Sequence, residues 1–177
     1  MASIFTHPIV ALAFSPWVNV LNKRKVTISG IILSIFPDID VIAFKLGIPY
    51  EHLFGHRGIT HSIAFAIVLS GGVAWYFSRS SQKETHLIWL YLFICMVSHG
   101  MLDALTNGGL GIAFFAPFSN ERYFFPMQPI NVSSLRIGDF FSEHGLFVMK
   151  SEILFIWIPF SFVWGINYFF SRIKNKS

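Results

Sequence analysis

The sequence predicts an all-α integral membrane protein, a bundle of about five transmembrane helices with a range of four to six. Of its 177 residues, 54% are hydrophobic and 12% are charged, whereas a soluble domain carries about 25% charged residues. The mean hydropathy of +0.59 points the same way. The length suits one transmembrane helical domain over residues 1–177.

Five apolar segments approach the length of a membrane span, which is ~20 residues. The first segment contains Pro8 and Pro16 and is the weakest, because proline interrupts a helix. A loop at residues 107–150, rich in glycine, proline and aromatic side chains, separates the fourth segment from the fifth. The segments cover residues 4–21, 26–46, 59–78, 86–106 and 151–170.

The lysines and arginines predict the orientation of the bundle. Alternating spans place the stretches 22–25, 78–85 and 171–177 on one side, with eight of the thirteen basic residues. The positive-inside rule makes this side cytoplasmic. The amino terminus and the 107–150 loop then lie outside, and the carboxyl terminus lies inside. We expect no nucleic-acid partner, because orientation and anionic lipid explain short juxtamembrane basic clusters. The pattern does not fix the oligomeric state.

Histidines and acidic residues gather at the predicted outer ends of all five segments, although only Lys and Arg defined the orientation. An ionisable side chain inside a span costs ~2.5–3.5 kcal/mol and usually faces the bundle interior, paired with another such group or an ion. Carboxylates and neutral imidazoles are suitable ligands for a divalent metal. We therefore predict a shared metal site there. The gathered residues are His7, Asp38, Asp40, His56, His61, His99, Asp103 and Glu152.

The spacing of these residues fits helical ligands only in part. His99 and Asp103 are four residues apart and share one face of a helix. Asp38 and Asp40 point about 200° apart on a regular helix, so both can serve only if the helix breaks. Pro37 favours such a break because it lacks a backbone donor.

The two histidines before the third segment are five residues apart. Gly58 places His56 in a turn and His61 on the first turn of the segment. The spacing leaves open which of these histidines, and which of Asp38 and Asp40, is a direct ligand.

Four motifs carry a family resemblance: THP, PDID, GHRGITHS and SHGMLDALT, in this order within residues 6–106. They resemble the YdjM-like family of predicted membrane-bound metal-dependent hydrolases. The chain departs from the family pattern after the last motif. Asn107 and Gly108 stand where the family frequently has a proline followed by a glycine. The resemblance implies a bacterial inner (plasma) membrane enzyme, and the predicted orientation places its site on the non-cytoplasmic side.

A looser similarity concerns the ligand order of the zinc-dependent phospholipase C and single-strand nuclease group. That group ends in a His-x-x-x-Glu pair, whereas His144 and Glu152 are eight residues apart. The similarity therefore implies one or two metal ions rather than three. Zinc suits mixed histidine and carboxylate ligands best, and manganese or iron is also compatible. The order is filled by His7, Asp38 or Asp40, His56 or His61, and then His99 and Asp103.

These observations favour a metal-dependent hydrolase that cleaves a phosphate ester of a lipid or lipid-linked substrate at the outer leaflet, using a metal-activated water. Asp40 or Glu152 would act as the base. Glu152 has two further readings, as a metal ligand or as a charge at a helix N-terminus. Arg57, helped by Arg122, would neutralise phosphate charge, or Arg57 would reach up to the lipid headgroups.

Two other classes remain open. Intramembrane His and Asp residues also suit a metal or proton transporter, but the inner halves of the segments offer only Glu84 and His86. A non-catalytic membrane scaffold with a structural metal is the other alternative. It predicts a closed coordination shell.

Overall fold

The protein is seen in a computed structural model that describes residues 1–79, 84–134, 138 and 141–174, without the side chain of Lys174. Within these residues the secondary structure is helical, with two isolated β-bridges and no named strand. The predicted all-α class is confirmed. The α-helices are α1 (His7–Phe14), α2 (Lys23–Ile35), α3 (Ile42–Lys45), α4 (Ile63–Ser78), α5 (Thr85–Ala104), α6 (Glu143–Glu152) and α7 (Ile158–Lys174). Short 3₁₀ helices cover Ser15–Trp17, Phe36–Val41 and Ile59–His61, and a π-helix covers Ile153–Trp157.

Three helical stretches are long and apolar enough to cross a membrane: Lys23–Lys45, Thr85–Ala104 and Glu143–Ile173. Helix α4 is apolar but has 16 residues, about 24 Å, against a hydrocarbon core of about 30 Å. The predicted membrane bundle is confirmed at this level. Its orientation stays a prediction, and Lys83 and Lys176, two of the basic residues behind it, lie outside the described residues.

The first predicted span is helical over only part of its length. Helix α1 has eight residues, and Pro16 in the following 3₁₀ turn prevents a longer helix. The segment still runs alongside α5 from end to end. His7 Nε2 lies 3.6 Å from Asp103 Oδ1 at one end, and the Leu21 amide donates to Glu84 at the other (3.1 Å to Oε2). The segment predicted for residues 4–21, the weakest of the five, is therefore helical only in part.

Helix α5 lies at the centre and packs against α1, α2 and α4. The buried Tyr91 side chain crosses this interface and donates from its hydroxyl to the Ala11 carbonyl (2.9 Å). A Cβ at Gly30 of α2 would lie 2.6 Å from the Tyr91 ring, so glycine permits this close packing. Helix α7 also packs against α1. This packing brings the predicted outer ends of α1, α2 and α5 to the start of α4.

The loop between α5 and α6 is packed against the bundle where it is described. Ile112 and Ile130 are fully buried, and the Ile112 amide donates to the Tyr123 carbonyl (2.9 Å). Phe115 and Tyr123 of this loop remain exposed. The loop is shorter than predicted. The Ser142 side chain accepts from the Gly145 amide and begins α6 well before residue 151.

Candidate metal centre

The Pro-Asp-Ile-Asp motif interrupts the second span with a 3₁₀ helix. Pro37 stands in the first turn of this helix, where its missing N–H does no harm. Side chains two residues apart in a 3₁₀ helix point about 120° apart. Asp38 and Asp40 can therefore approach one site from two directions, as the broken helix predicted from the sequence requires.

The Gly-His-Arg-Gly turn before α4 is too tight for side chains at its two glycines. A Cβ at Gly55 would lie 2.5 Å from the Tyr50 carbonyl oxygen, and one at Gly58 would lie 2.8 Å from the Gly55 carbonyl oxygen. Arg57 has a φ of 61°, a strained value for a residue with a side chain. This conformation lets the Arg57 amide donate to Asp40 Oδ2 (3.0 Å). Strain of this kind often marks a functional site.

Three buried residues and the partly buried Asp38 bring one ligand atom each into a single cluster, within 4.8 Å of one another: Asp38, His61, His99 and Asp103. His99 Nε2 lies 3.3 Å from Asp38 Oδ1 and 4.0 Å from Asp103 Oδ2. His61 Nε2 lies 3.8 Å from both of these oxygens. Ligands 2.0–2.2 Å from a tetrahedral zinc are about 3.3 Å apart. The four atoms thus form a slightly expanded version of a metal's coordination shell.

Hydrogen bonds on the far side of each imidazole fix which nitrogen faces the cluster. His99 Nδ1 lies 2.7 Å from the Ser34 carbonyl, which can only accept. His61 Nδ1 lies 3.0 Å from Asp40 Oδ2. Both Nδ1 atoms therefore carry a hydrogen, and the two Nε2 atoms face each other at 3.1 Å. A histidine held by a carboxylate or carbonyl in this way is the usual arrangement around a bound metal.

Several buried polar atoms of the cluster have no hydrogen-bond partner within the described part of the chain. They include both carboxylate oxygens of Asp38, Oδ2 of Asp103 and both ring nitrogens of His7. Buried polar groups are normally satisfied. The carboxylates of Asp38, Asp40 and Asp103 outnumber the nearby Arg57 guanidinium by two charges. A divalent cation would satisfy the orphaned carboxylate oxygens of Asp38 and Asp103 and offset the negative charge of these side chains, so the residues fit such an ion.

A second group of potential ligands adjoins the first. Asp38, Asp40 and His56 also offer atoms within 4.8 Å of one another. Asp38 is common to both groups, and a shared carboxylate is a feature of paired metal ions. His56 Nδ1 already lies 2.6 Å from Asp40 Oδ1. The geometry suits one ion in the first group and leaves a second ion possible.

His7 reaches the cluster from α1 but lies outside both groups. Its ring stacks on that of His99, with centroids 3.8 Å apart and an interplanar angle of 18°. Its Nε2 faces Asp103 Oδ1 at 3.6 Å. A ligand role for His7 stays a prediction, whereas its packing against His99 is part of the fold.

Arg57 is enclosed by the protein, with 1% of its surface exposed. Its Nη1 donates to the Gly108 carbonyl (2.7 Å) and its Nη2 to the Thr106 hydroxyl (3.2 Å). Its Nε lies 3.4 Å from Asp103 Oδ2. The alternative in which Arg57 reaches up to the headgroups is wrong, because the side chain turns inward to Asp103. A role in binding phosphate stays a prediction.

Arg122 braces the turn that carries His56. It donates from Nη1 to the His56 carbonyl (2.9 Å) and from Nη2 to the Tyr50 carbonyl (2.8 Å). Its guanidinium also lies over the Tyr50 ring, 5.4 Å from the centroid. Burial lowers the pKa of Arg122 and raises the pKa of the Tyr50 phenol, which therefore stays neutral at physiological pH. The structure places Arg122 in a supporting position.

Glu152 is fully buried, but it belongs to neither ligand group. It accepts from the Ser3 amide, the Ser3 hydroxyl (2.6 Å) and the Thr6 hydroxyl (2.7 Å). Ala2, the residue before Ser3, donates from its amide to Asp103 Oδ1 (2.7 Å). Glu152 therefore holds the segment that contacts Asp103. His144 is exposed, with Nε2 3.0 Å from the Val132 carbonyl.

The sequence reasoning missed the hydroxyl and carbonyl groups that orient the ionisable residues. Thr60 donates to Asp40 Oδ2 (2.6 Å), Thr106 accepts from Arg57, and Thr6 donates to Glu152. Each of these threonines lies inside one of the four motifs, next to or within three residues of a predicted ligand, and that position was the available signal. The role of the Ser34 carbonyl could not be predicted from the sequence, because every residue carries a backbone carbonyl.

Fold and site together define a helical membrane protein with a buried cluster of histidine and aspartate residues. Residues 1–176 match the family described as "YdjM inner membrane protein", and the chain belongs to that family. It is 34% identical over 167 residues to the inner membrane protein YbcI of Escherichia coli K12, covering 94% of this chain and 96% of YbcI. It is 32% identical over 93 residues to the uncharacterized protein YvsG of Bacillus subtilis 168, covering 49% of this chain and 54% of YvsG. No solved structure gives a significant match.

Proposed function

We propose that the protein is a metal-dependent hydrolase of the bacterial inner membrane, which cleaves a phosphate ester of a lipid or lipid-linked substrate at the outer leaflet. The observation that carries the proposal is the pair of facing Nε2 atoms of His61 and His99, enclosed with carboxylate oxygens of Asp38 and Asp103 that have no hydrogen-bond partner. Two of the helical stretches that could cross a membrane carry Asp38, His99 and Asp103. The motif resemblance to membrane-bound hydrolases supports the reaction type.

Asp38, His61, His99 and Asp103 would hold the metal, and zinc suits this mixed set best. A divalent ion bound there would lower the pKa of a water and polarise a phosphoryl oxygen. Asp38 is the most accessible of the four, with 9% of its side chain exposed, against 0% for the other three. Substrate would therefore approach from the side of the Asp-Ile-Asp turn.

Asp40 and His56 are the proposed proton-accepting pair. The two side chains meet at 2.6 Å, and a carboxylate that orients an imidazole is a common general-base arrangement. Asp40 also accepts from His61, Thr60 and the Arg57 amide. Because the oxygens of Asp40 already accept these hydrogen bonds, Asp40 would act through His56. Glu152, the other predicted base, is held by Ser3 and Thr6, and we propose a positioning role for it.

The test is release of phosphate or of a phosphorylated headgroup from a panel of phospholipids and isoprenoid phosphates, with purified protein in nanodiscs. The intact protein should release product, and the His99→Ala variant should not. Metal content measured on the same samples connects the loss to the ion. Stoichiometric metal without product from any member of the panel would overturn the hydrolase proposal.

The near-complete burial of the four atoms favours a second candidate, a membrane scaffold held together by a structural metal. Cobalt substitution distinguishes the two, because its visible spectrum reports coordination. A catalytic centre keeps an open position, so added phosphate or azide should change the spectrum. A spectrum that these anions leave unchanged, together with cooperative loss of folding on chelation, supports the scaffold.

A further inference from the structure

A basic cavity lies at the end of the bundle opposite the metal centre. It opens between the corner that joins α1 to α2 and the last turns of α7, and its volume is about 460 Å³. This size falls in the range of ligand pockets, roughly 300–1,000 Å³. Its lining includes Lys23, Arg172, Trp164, Tyr168, Ser15 and Ser171.

The cavity presents positive charge that the protein leaves unbalanced. Lys23 and Arg172 are both exposed, and the lining residues include no acidic side chain within the described part of the chain. In the same part, neither cation lies within 4.0 Å of a carboxylate oxygen. Helix α2 also begins at Lys23, so the positive end of its dipole lies on this side.

Aromatic residues hold the cation of α7 at the rim. Arg172 donates from Nε (2.9 Å) and Nη2 (2.6 Å) to the Tyr168 hydroxyl. The Tyr168 ring stacks on Trp164, with centroids 5.3 Å apart and an interplanar angle of 15°. Both rings are about half exposed. Tyrosine and tryptophan favour the headgroup level of a bilayer, where one end of the ring meets water.

The distance along the helix from the metal centre to the cavity is close to the thickness of a bilayer's hydrocarbon core. The helical path from Glu152, which holds the segment beside Asp103, to Arg172 is roughly 30 Å long. The hydrocarbon core of a bilayer is also about 30 Å thick. In a bilayer spanned by this helical stretch, the cavity would therefore lie near the headgroup level of the leaflet opposite the metal centre.

We infer that this cavity binds the phosphate headgroup of an anionic phospholipid, with Lys23 and Arg172 as the recognition pair and Trp164 and Tyr168 against the glycerol and upper acyl region. Basic cavities between membrane helices bind anionic headgroups in this way. The inference does not depend on the proposed hydrolase activity.

Native mass spectrometry of the full chain in detergent tests the site, with phosphatidylglycerol and phosphatidylcholine titrated separately. The intact protein should retain phosphatidylglycerol in preference to phosphatidylcholine. The double variant Lys23→Gln/Arg172→Gln should lose affinity for phosphatidylglycerol on the order of tenfold. The matched control Arg24→Gln/Lys25→Gln removes two exposed cations of the same flank that do not line the cavity, and should change affinity less than twofold.

The charge-retaining variant Lys23→Arg/Arg172→Lys should keep the preference, which separates loss of charge from loss of folding. Equal losses in the two neutralised double variants would reduce the effect to general surface charge and overturn the site. Equal retention of both lipids would overturn it as well. Displacement of phosphatidylglycerol by millimolar inorganic phosphate would assign the cavity to a free phosphate instead of a lipid.

Discussion

The Nε2 atoms of His61 and His99 lie 3.1 Å apart, although each ring gives its Nδ1 hydrogen to another acceptor. Two lone pairs at this distance repel unless a positive charge lies between them. The arrangement is therefore stable only with a bound cation or a shared proton. Removing a ligand tests whether that positive charge is a metal ion.

His99→Ala and Asp103→Ala are each expected to remove the metal, because each takes away one of four ligands. Elemental analysis of protein purified in detergent measures the metal-to-protein ratio. His86→Ala is the matched control, since His86 is an exposed histidine at the other end of α5. An unchanged metal ratio in His99→Ala would show that the ion binds elsewhere.

Asp40→Asn is expected to weaken metal binding without abolishing it. Asp40 Oδ2 orients His61 from the side away from the cluster, and loss of such a partner typically costs 10–100-fold in metal affinity. Competition against a chelator of known affinity measures the change. Asp38→Asn, which alters a proposed direct ligand, should have the larger effect. The reverse order would make Asp40 the ligand and Asp38 the support.

Glu152→Gln is expected to destabilise the fold while the metal ratio is kept. The buried carboxylate accepts from three donors of residues 3–6, and an amide can accept with only one of its two heavy atoms. A donor left unsatisfied in the interior costs about 1–3 kcal/mol. Thermal unfolding in detergent reports the loss, and Glu143→Gln on the exposed face of the same helix is the control. Full stability with complete loss of phosphate release would instead support Glu152 as the base.

Gly109→Ala is expected to displace Arg57 from the cluster. The added Cβ would lie 2.5 Å from Arg57 Nη1 and 2.7 Å from the Tyr50 hydroxyl, at a φ of +89°. Gly47→Ala is the matched control, because Gly47 also has a positive φ (+71°) but open space around it. Both variants place alanine at a strained positive φ. Any loss of stability and metal affinity in Gly109→Ala beyond that in Gly47→Ala therefore measures the displacement of Arg57.

Single cysteines are expected to report the predicted orientation. In a Cys95→Ser background, a cysteine at Asn120 should react with an impermeant thiol reagent in intact cells. A cysteine at Arg79 should react only after the membrane is permeabilised. Both positions are surface-accessible. The opposite pattern would invert the topology and move the metal centre to the cytoplasmic side.

The low charge content, the five apolar segments and the positions of the histidines and aspartates along them were sufficient to predict a helical membrane protein with polar residues at one end. Helical periodicity depends on the spacing of residues, and the cost of an ionisable group in lipid depends on the residue type, so both can be deduced from the sequence. The break at Pro37 was readable for the same reason, because the missing amide is a local property of proline.

Only the tertiary structure decided which contacts each charged residue makes. Asp38 faces the cluster while Asp40 orients His56 and His61, a difference that depends on the 3₁₀ geometry and on where the Gly-His-Arg-Gly turn packs. Arg57 points inward because Thr106 and Gly108, far along the chain, supply its acceptors. Glu152 meets the hydroxyls of residues 3–6 across the bundle. Spacing along a chain fixes which residues can share a face, but long-range hydrogen bonds fix which of them turn toward the same point.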